Sequence, residues 1–411
     1  MTTTNETTAG SVGQTKTTVP TGQTLLFAIS VGVIVTSLYT PQTLIGLIGP
    51  SLGVAPAAAG LITTAALVGY AVGLFLIVPL SDFVENRQLV LTMLAGAVFA
   101  SATAALAPSA TILFGSLFLL GLACSAIQVI VPVAASMVAA ERRGRVVGDV
   151  MGGLMVGVLL SRPFASVIAD AYGWRAVYII SAFAIALVAF LLAWRLPHYQ
   201  TAAQSTYWAL IGSLWQILRQ EPVLRRRALT ASLVAASFSL FWTTVALRLA
   251  MAPFNLDLRG IALFALAGAG GALATPLAGR IGDRGWTRSA MVAAHISIVV
   301  SAALAAWAGT SDAASWSTAI LVLGFSAILL DIGLTFDHTL GRREINLIRP
   351  EARGRLNGLF VGLFFIGGSI GAAISGVTWT LGGWTLTCAV CAAFAILSLV
   401  ADFVSKSSKL S

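Results

Sequence analysis

The chain has 411 residues, of which 58% are hydrophobic and only 9% charged, and its formal net charge is +9. With a mean hydropathy of +0.92, it is far from a soluble domain, which is nearer half apolar and a quarter charged. That composition leaves a polytopic membrane protein, and the lack of short alternating segments argues against a transmembrane barrel.

Residues 1–23 are Thr-rich and polar, without periodicity, and read as a disordered tail. They have neither a basic leading region nor a small-residue cleavage site, so no secretory signal peptide is expected. Twelve apolar segments follow, each long enough to cross a ~30 Å hydrocarbon core as a helix. Spans 1 to 6 are expected at about 25–47, 57–79, 89–107, 111–138, 146–169 and 176–194. Spans 7 to 12 are expected at about 228–251, 260–279, 290–308, 316–340, 357–379 and 385–403.

The one long polar interruption is 196–227. Within it Trp208, Ile211, Leu214, Trp215 and Leu218 share a helical face, a pattern suited to a helix lying in the membrane interface. Residues 24–195 and 228–404 thus form two six-span bundles, and 405–411 a second polar tail. All Lys and Arg except Arg162, Arg175, Arg248 and Arg259 fall in the tails or in the loops after even-numbered spans. The positive-inside rule then places both termini in the cytoplasm. The basic balance is therefore topology, and no nucleic-acid partner is expected.

The halves repeat each other. Arg143-Gly144-Arg145-x-x-Gly148 recurs as Arg353-Gly354-Arg355-x-x-Gly358. At the same spacing Gly157 matches Gly367, and Gly173-Trp174 matches Gly383-Trp384. The loop after span 2 carries Asp82 and Arg87, and its counterpart after span 8 carries Gly279, Asp283 and Arg284. The expected fold is an all-α membrane protein of twelve transmembrane helices in two six-helix pseudo-repeats.

On these motifs the chain resembles the major facilitator superfamily over about residues 25–405. Gly279-x-x-x-Asp283-Arg284 is similar to that family's loop motif, although Gly285 comes one position early. The first-half copy is poorer, with Val78 and Phe83 in place of the leading Gly and the basic residue. The resemblance implies a cytoplasmic gate built on Asp82, Arg87, Asp283 and Arg284. Tyr39-x-Pro41-Gln42, Gly69-Tyr70, Pro79-Leu-Ser-Asp82-x-x-Glu-Asn-Arg87, Leu330-Asp331 and Ala352-Arg-Gly-Arg-Leu-Asn357 resemble the bacterial drug and sugar efflux branch. Gly148 and Gly157 keep part of the antiporter pattern of span 5, where Arg162 stands in place of a proline. These glycines are expected to permit close contact between the two halves.

The resemblance implies that spans 1, 4, 7 and 10 line a central path. Those spans carry polar stripes: Thr36, Tyr39 and Thr40 in span 1, Gln128 in span 4, Ser239, Trp242 and Thr243 in span 7, and Thr335 in span 10. These residues either contact a substrate or, for each Ser and Thr, hydrogen-bond their own helix. Tyr39 and Trp242 are suited to stacking on a substrate face.

Asp331, Thr335 and His338 fall on one face of span 10. A carboxylate in a membrane helix costs ~2.5 kcal/mol or more near the centre, so it marks either an ion or substrate site or a structural pair. Asp331 is the candidate proton carrier. Arg162 is either its partner, directly or through water, or the counter-ion of an anionic substrate. His338 is either a proton relay or a solvated residue near a helix end. His295 reads as a core or lipid-edge histidine. Asp337 needs no special role near the boundary, and Arg248 is expected to snorkel to the membrane surface.

Cys124, Cys388 and Cys391 lie in apolar spans and read as core side chains; neither a metal nor another cofactor is expected. Three scattered histidines do not form a catalytic set, so an enzyme is not expected, and no soluble output domain supports a receptor. A proton-coupled exporter of small amphiphilic compounds or sugars is expected, working as a monomer in a bacterial inner membrane. The alternative is a facilitator or importer of a small organic anion held by Arg162.

Overall fold

The computed structural model describes residues 21–197, 206–310, 315–349 and 352–404. Most of the polar tail at 1–23 and all of 405–411 lie outside the described residues, so the disorder expected there stands as a sequence reading. The described residues are helical throughout, with no strand among them. Among the described residues ten helices are long and apolar enough to cross a membrane. The longest, Arg353–Phe403, contains spans 11 and 12, divided at Gly383. Span 8 is broken into Leu258–Ala265 and Ala269–Asp283 by a tight turn at Leu266–Gly268. Counting both gives the twelve spans.

Two of the inner spans are interrupted. Span 1 runs Thr21–Tyr39 and restarts as Pro41–Ser51, because a proline has no N–H to continue the ladder and crowds the preceding turn. Span 4 is Ala110–Cys124 and then Ile127–Ser136. Span 10, Trp316–Asn346, continues past the expected end at 340. Span 7, Pro222–Leu249, starts earlier than expected, so Arg225, Arg226 and Arg227 lie inside it. The linker helix Tyr207–Gln220 turns Leu214 and Ile217 inward and leaves Trp208 and Trp215 exposed. Thr206 caps it, and Tyr207 anchors it by donating to the Leu76 carbonyl at 2.8 Å.

The sequence repeat is a structural repeat. Gly173 and Gly383 both have positive φ, at 80° and 59°, a conformation that suits glycine. They turn span 5 into span 6 and span 11 into span 12. The tryptophan after each ties it to its own half: Trp174 donates to Ser51 Oγ at 3.0 Å, and Trp384 to the Ala305 carbonyl at 2.7 Å. A methyl built on Gly157 would collide with the backbone of Gly32, and one on Gly367 with the backbone of Ser232. These glycines therefore press span 5 onto span 1 and span 11 onto span 7. This corrects the expected contact between the halves: these glycines pack within a half, since each faces the first helix of its own bundle.

Between the halves, spans 2 and 11 touch along much of their length. A side chain on Gly60 would strike Ala372, and one on Gly376 would strike Ala57. Thr64 donates to the Ser369 carbonyl at 3.2 Å, and the rings of Tyr70 and Phe365 lie 4.3 Å apart. Arg259 and Asp170 add an ion pair at 2.9 Å near the end remote from the termini. On the span 4 stripe, exposure grows toward the terminal end: Gln128 is half-buried, and Pro132 and Ser136 are exposed. The remote ends of the two halves are thus held together by spans 2 and 11, and exposure along span 4 grows toward the terminal end.

Arg248 does not snorkel. It is 8% exposed and donates twice to the Gly309 carbonyl, at 2.9 and 2.7 Å. A guanidinium beside the last carbonyls of span 9 satisfies acceptors that the helix leaves free.

Gly157→Val is expected to lower stability by about 1–3 kcal/mol, the usual cost of overpacking. Gly148→Val, whose new atoms meet open space, is expected to change it by less than about 0.5 kcal/mol. Thermal unfolding of the two purified variants checks this.

Candidate functional site

Three helices meet at the middle of the path. Arg162 comes from span 5, Trp242 from span 7 and Asp331 from span 10, and all three are nearly inaccessible, at 2%, 3% and 6% exposure. The Trp242 indole Nε1 donates to Asp331 Oδ1 at 2.9 Å. The Arg162 guanidinium carbon lies 4.0 Å from the Trp242 ring centroid and 5.4 Å from that of Phe238. Gly268, in the break of span 8, leaves room for both charges. A methyl built there would stand 2.9 Å from Asp331 Oδ2 and 3.6 Å from Arg162 Nη1. No direct Arg162–Asp331 ion pair within 4.0 Å occurs among the described residues. The indole links the charges, stacking under one and hydrogen-bonding the other.

A cation over an indole face is worth ~2 kcal/mol or more once water is removed. That is less than the cost of leaving a buried charge wholly unpaired. Arg162 also donates to Gln42 Oε1 at 3.3 Å. Gln42 is fully buried in the restarted half of span 1, and the reading of span 1 as one continuous helix missed it. The proline after Thr40 was the available signal: it turns the chain so that Gln42 points to Arg162. Tyr39 lies within electrostatic reach of both Arg162 and Asp331. Gln42 Nε2, Arg162 Nε and Thr243 Oγ1 are buried without a hydrogen-bond partner.

The other expected path residues divide. Thr40 Oγ1 donates to the Thr36 carbonyl at 2.8 Å. Thr36 Oγ1 donates to Gly32 and Gly157 carbonyls at 2.8 and 3.1 Å. Both hydroxyls serve helix backbones. Thr335 Oγ1 faces Gly271 and Ser239 Oγ faces Gly368, each 3.1 Å from a methyl built there.

Toward the terminal end a second polar layer follows. Gln128 Nε2 donates to the Tyr70 hydroxyl at 3.2 Å, and Arg342 lies within electrostatic reach of Tyr70 and of His338. Arg342 also donates to Asn357 Oδ1 at 3.1 Å. His338 is half-buried and lies eight residues before the end of its helix. It packs against Phe360 and Phe364, with ring centroids 5.5 and 4.9 Å away, because span 10 extends beyond it.

Of the four expected gate residues, Asp82 faces a cation of the other half, Arg355, in the first turn of span 11. Asp283 pairs with Arg343 at 3.2 Å, inside the second half. Arg87 donates to the Ala193 carbonyl at 2.6 Å, inside the first. Arg284 is exposed. The three cysteines are free and buried. Among the described residues no His, Cys, Asp and Glu group could hold a metal.

The sequence model of the Major Facilitator Superfamily matches residues 25–337. A relative from Escherichia coli O157:H7, the uncharacterized transporter YgaY, is 35% identical over 377 residues, covering 92% of this chain and 93% of its own. The chain belongs to the Major Facilitator Superfamily. It is a multi-pass membrane transport protein of that fold. The chloramphenicol resistance protein of Streptomyces lividans is 26% identical over 336 residues, covering 80% of this chain and 81% of its own.

Among solved structures, the nucleoside transporter NupG matches with a TM-score of 0.71 at 15% identity, over 94% of this chain and 98% of that one. A bacterial homolog of the human lysosomal transporter Spinster, in an inward-facing and unoccupied conformation, matches with a TM-score of 0.66 at 14% identity, over 94% of this chain and 95% of that one.

Trp242→Phe keeps a ring under Arg162 and removes the donor to Asp331. Leaving that buried oxygen unsatisfied is expected to cost about 1–3 kcal/mol, read as a lower unfolding temperature. No loss of stability would remove the indole from its bridging role.

Proposed function

We propose that this protein is a proton-coupled secondary transporter that exports small amphiphilic compounds or sugars by alternating access. It acts as a monomer in a bacterial inner membrane, with both termini in the cytoplasm. The observation that carries the reading is Asp331. It is a carboxylate buried within span 10, held by one indole N–H and close to a guanidinium with which it forms no direct ion pair. Such a group can gain or lose a proton as the path alternates, because Arg162 and Trp242 need only small shifts to change the charge it meets.

The substrate site is the space around Trp242, Tyr39 and Phe238. Aromatic faces there suit an apolar or sugar ring. The unpartnered donors Gln42 Nε2 and Arg162 Nε, with the Thr243 hydroxyl, suit acceptor oxygens on the same ligand. Export is supported by the similarity to a chloramphenicol resistance protein. Inward opening is supported by the exposure that grows along span 4 toward the terminal end, the end that the positive-inside rule assigns to the cytoplasm.

A second reading, facilitated passage of an organic anion, is favoured by the unpartnered Arg162 Nε and by Arg342 lower in the path. The two readings separate in liposomes carrying an internal pH dye. Chloramphenicol, a nucleoside, a sugar and an organic acid are offered in turn. Substrate-dependent proton movement that falls at least about tenfold in Asp331→Asn, a barrier change of ~1.4 kcal/mol, is the expected outcome. Transport without proton movement, unchanged in Asp331→Asn and lost in Arg162→Ala, would replace it with the anion carrier.

A further inference from the structure

A buried ionic cluster in the second half lies outside the transport path. His295, in span 9 (Thr287–Gly309), is fully buried. Its Nε2 is 2.9 Å from Asp337 Oδ1 in span 10. Its Nδ1 is 3.9 Å from Asp402 Oδ2 in span 12. The carboxylates are themselves inaccessible, with side-chain exposures of 1% and 5%. His295 is a core histidine, one of the two expected placements, and it has partners that the sequence reading did not give it. Asp337 does have a specific partner: it is buried and paired with His295, in a helix that continues to Asn346.

Beyond Asp402 the cluster reaches the surface. Asp402 Oδ1 accepts from Arg227 Nη1 at 2.6 Å. Arg227 Nε and Nη2 donate to Glu344 at 2.6 and 3.0 Å. A cleft of about 170 Å³ opens here, lined by Arg226, Arg227, Arg288, Glu344 and Asp402. Among the described residues, the remaining charged groups at this cleft are Arg226, 3.5 Å from Glu344, and Arg288, over the Phe403 ring at 5.9 Å.

Two observations separate this cluster from an ordinary ion pair. His295 Nδ1 and Asp402 Oδ2 are both buried without a hydrogen-bond partner, and they face each other. Their separation is too long for a direct hydrogen bond and suits one bridging water. In addition, neutral imidazole has a single N–H. With a carboxylate at each nitrogen, that hydrogen serves only one of them, whereas a ring with two hydrogens serves both. The buried carboxylates Asp337 and Asp402 are opposed by one buried cation, Arg227, which Glu344 shares.

We propose that His295, held between Asp337 and Asp402, is a second proton-binding site of this protein, loaded through the Arg227 cleft and separate from Asp331. The step is proton transfer alone: hydronium in the cleft protonates Asp402 and leaves water, and Asp402 passes that proton through the bridging water to Nδ1, returning to a carboxylate. The new N–H faces Asp402 while Nε2 keeps its hydrogen toward Asp337. Loading draws spans 9, 10 and 12 together. Span 10 also carries Asp331, so the pH at the terminal face acts on a helix that lines the path. This inference stands whether or not Asp331 is the transport proton carrier.

The test is NMR of the full-length protein in lipid, labelled at its histidines, which are His198, His295 and His338. His295→Gln assigns the signal. If that variant does not fold, His198→Gln combined with His338→Gln leaves His295 as the one histidine to observe. As the pH is raised over the interval in which the protein stays folded, the His295 ring is expected to pass from two ring hydrogens to one. Asp402→Asn is expected to move the midpoint by about one pH unit or more, a tenfold change in proton affinity. A ring that keeps one form over that interval, or a midpoint indifferent to Asp402→Asn, would overturn the proposal.

Discussion

Arg162 is the constraint on which the centre of this protein depends. Its guanidinium is buried at the seam of the two halves, where a charge without compensation is not tolerated. The first half supplies one acceptor, the amide of Gln42. The second half supplies the rest: the faces of Trp242 and Phe238, and behind the indole the carboxylate of Asp331. The halves therefore share an electrostatic problem that neither solves alone. Any motion that separates them changes what Arg162 and Asp331 each meet.

The glycine placement allows such motion. Gly157 and Gly367 bring backbones into contact within each half, so each half moves as a packed unit. Between the halves the closest backbone approaches are at Gly60 and Gly376, toward the remote end, with Phe75 packed beside Gly362 nearer the termini, while the terminal ends of spans 4 and 5 carry exposed residues. Close packing inside the units and a limited seam between them favour rocking of one against the other. Arg248, clamped onto Gly309, and the reciprocal contacts of Ser237 and Cys391 hold the second unit together.

Much of this was legible in the sequence. The span count, the repeat and the two-half architecture follow from hydropathy and from motifs such as Gly173-Trp174 and Gly383-Trp384. Asp331 and Arg162 stand out because charges in apolar spans are rare. The indole between them did not: Trp242 reads as a stacking residue, and nothing in its spacing shows where its N–H points. Gln42 was hidden by treating span 1 as one helix across Pro41. His295, Asp337 and Asp402 were hidden by distance in sequence. They come from three spans, and Gly341-Arg342-Arg343 mimics a helix end that the chain does not make. The hydroxyls of Thr36 and Thr40 show the opposite failure, polar side chains that complete helix backbones.

The account stands or falls on whether Arg162 and Asp331 are energetically one unit. Arg162→Gln and Asp331→Asn, made singly and together in the full chain, give that coupling directly from unfolding free energies. The account predicts a double variant whose loss departs from the sum of the singles by at least about 1 kcal/mol, as for groups in one network. Losses that add to within about 0.5 kcal/mol would show two independent charges and would contradict it.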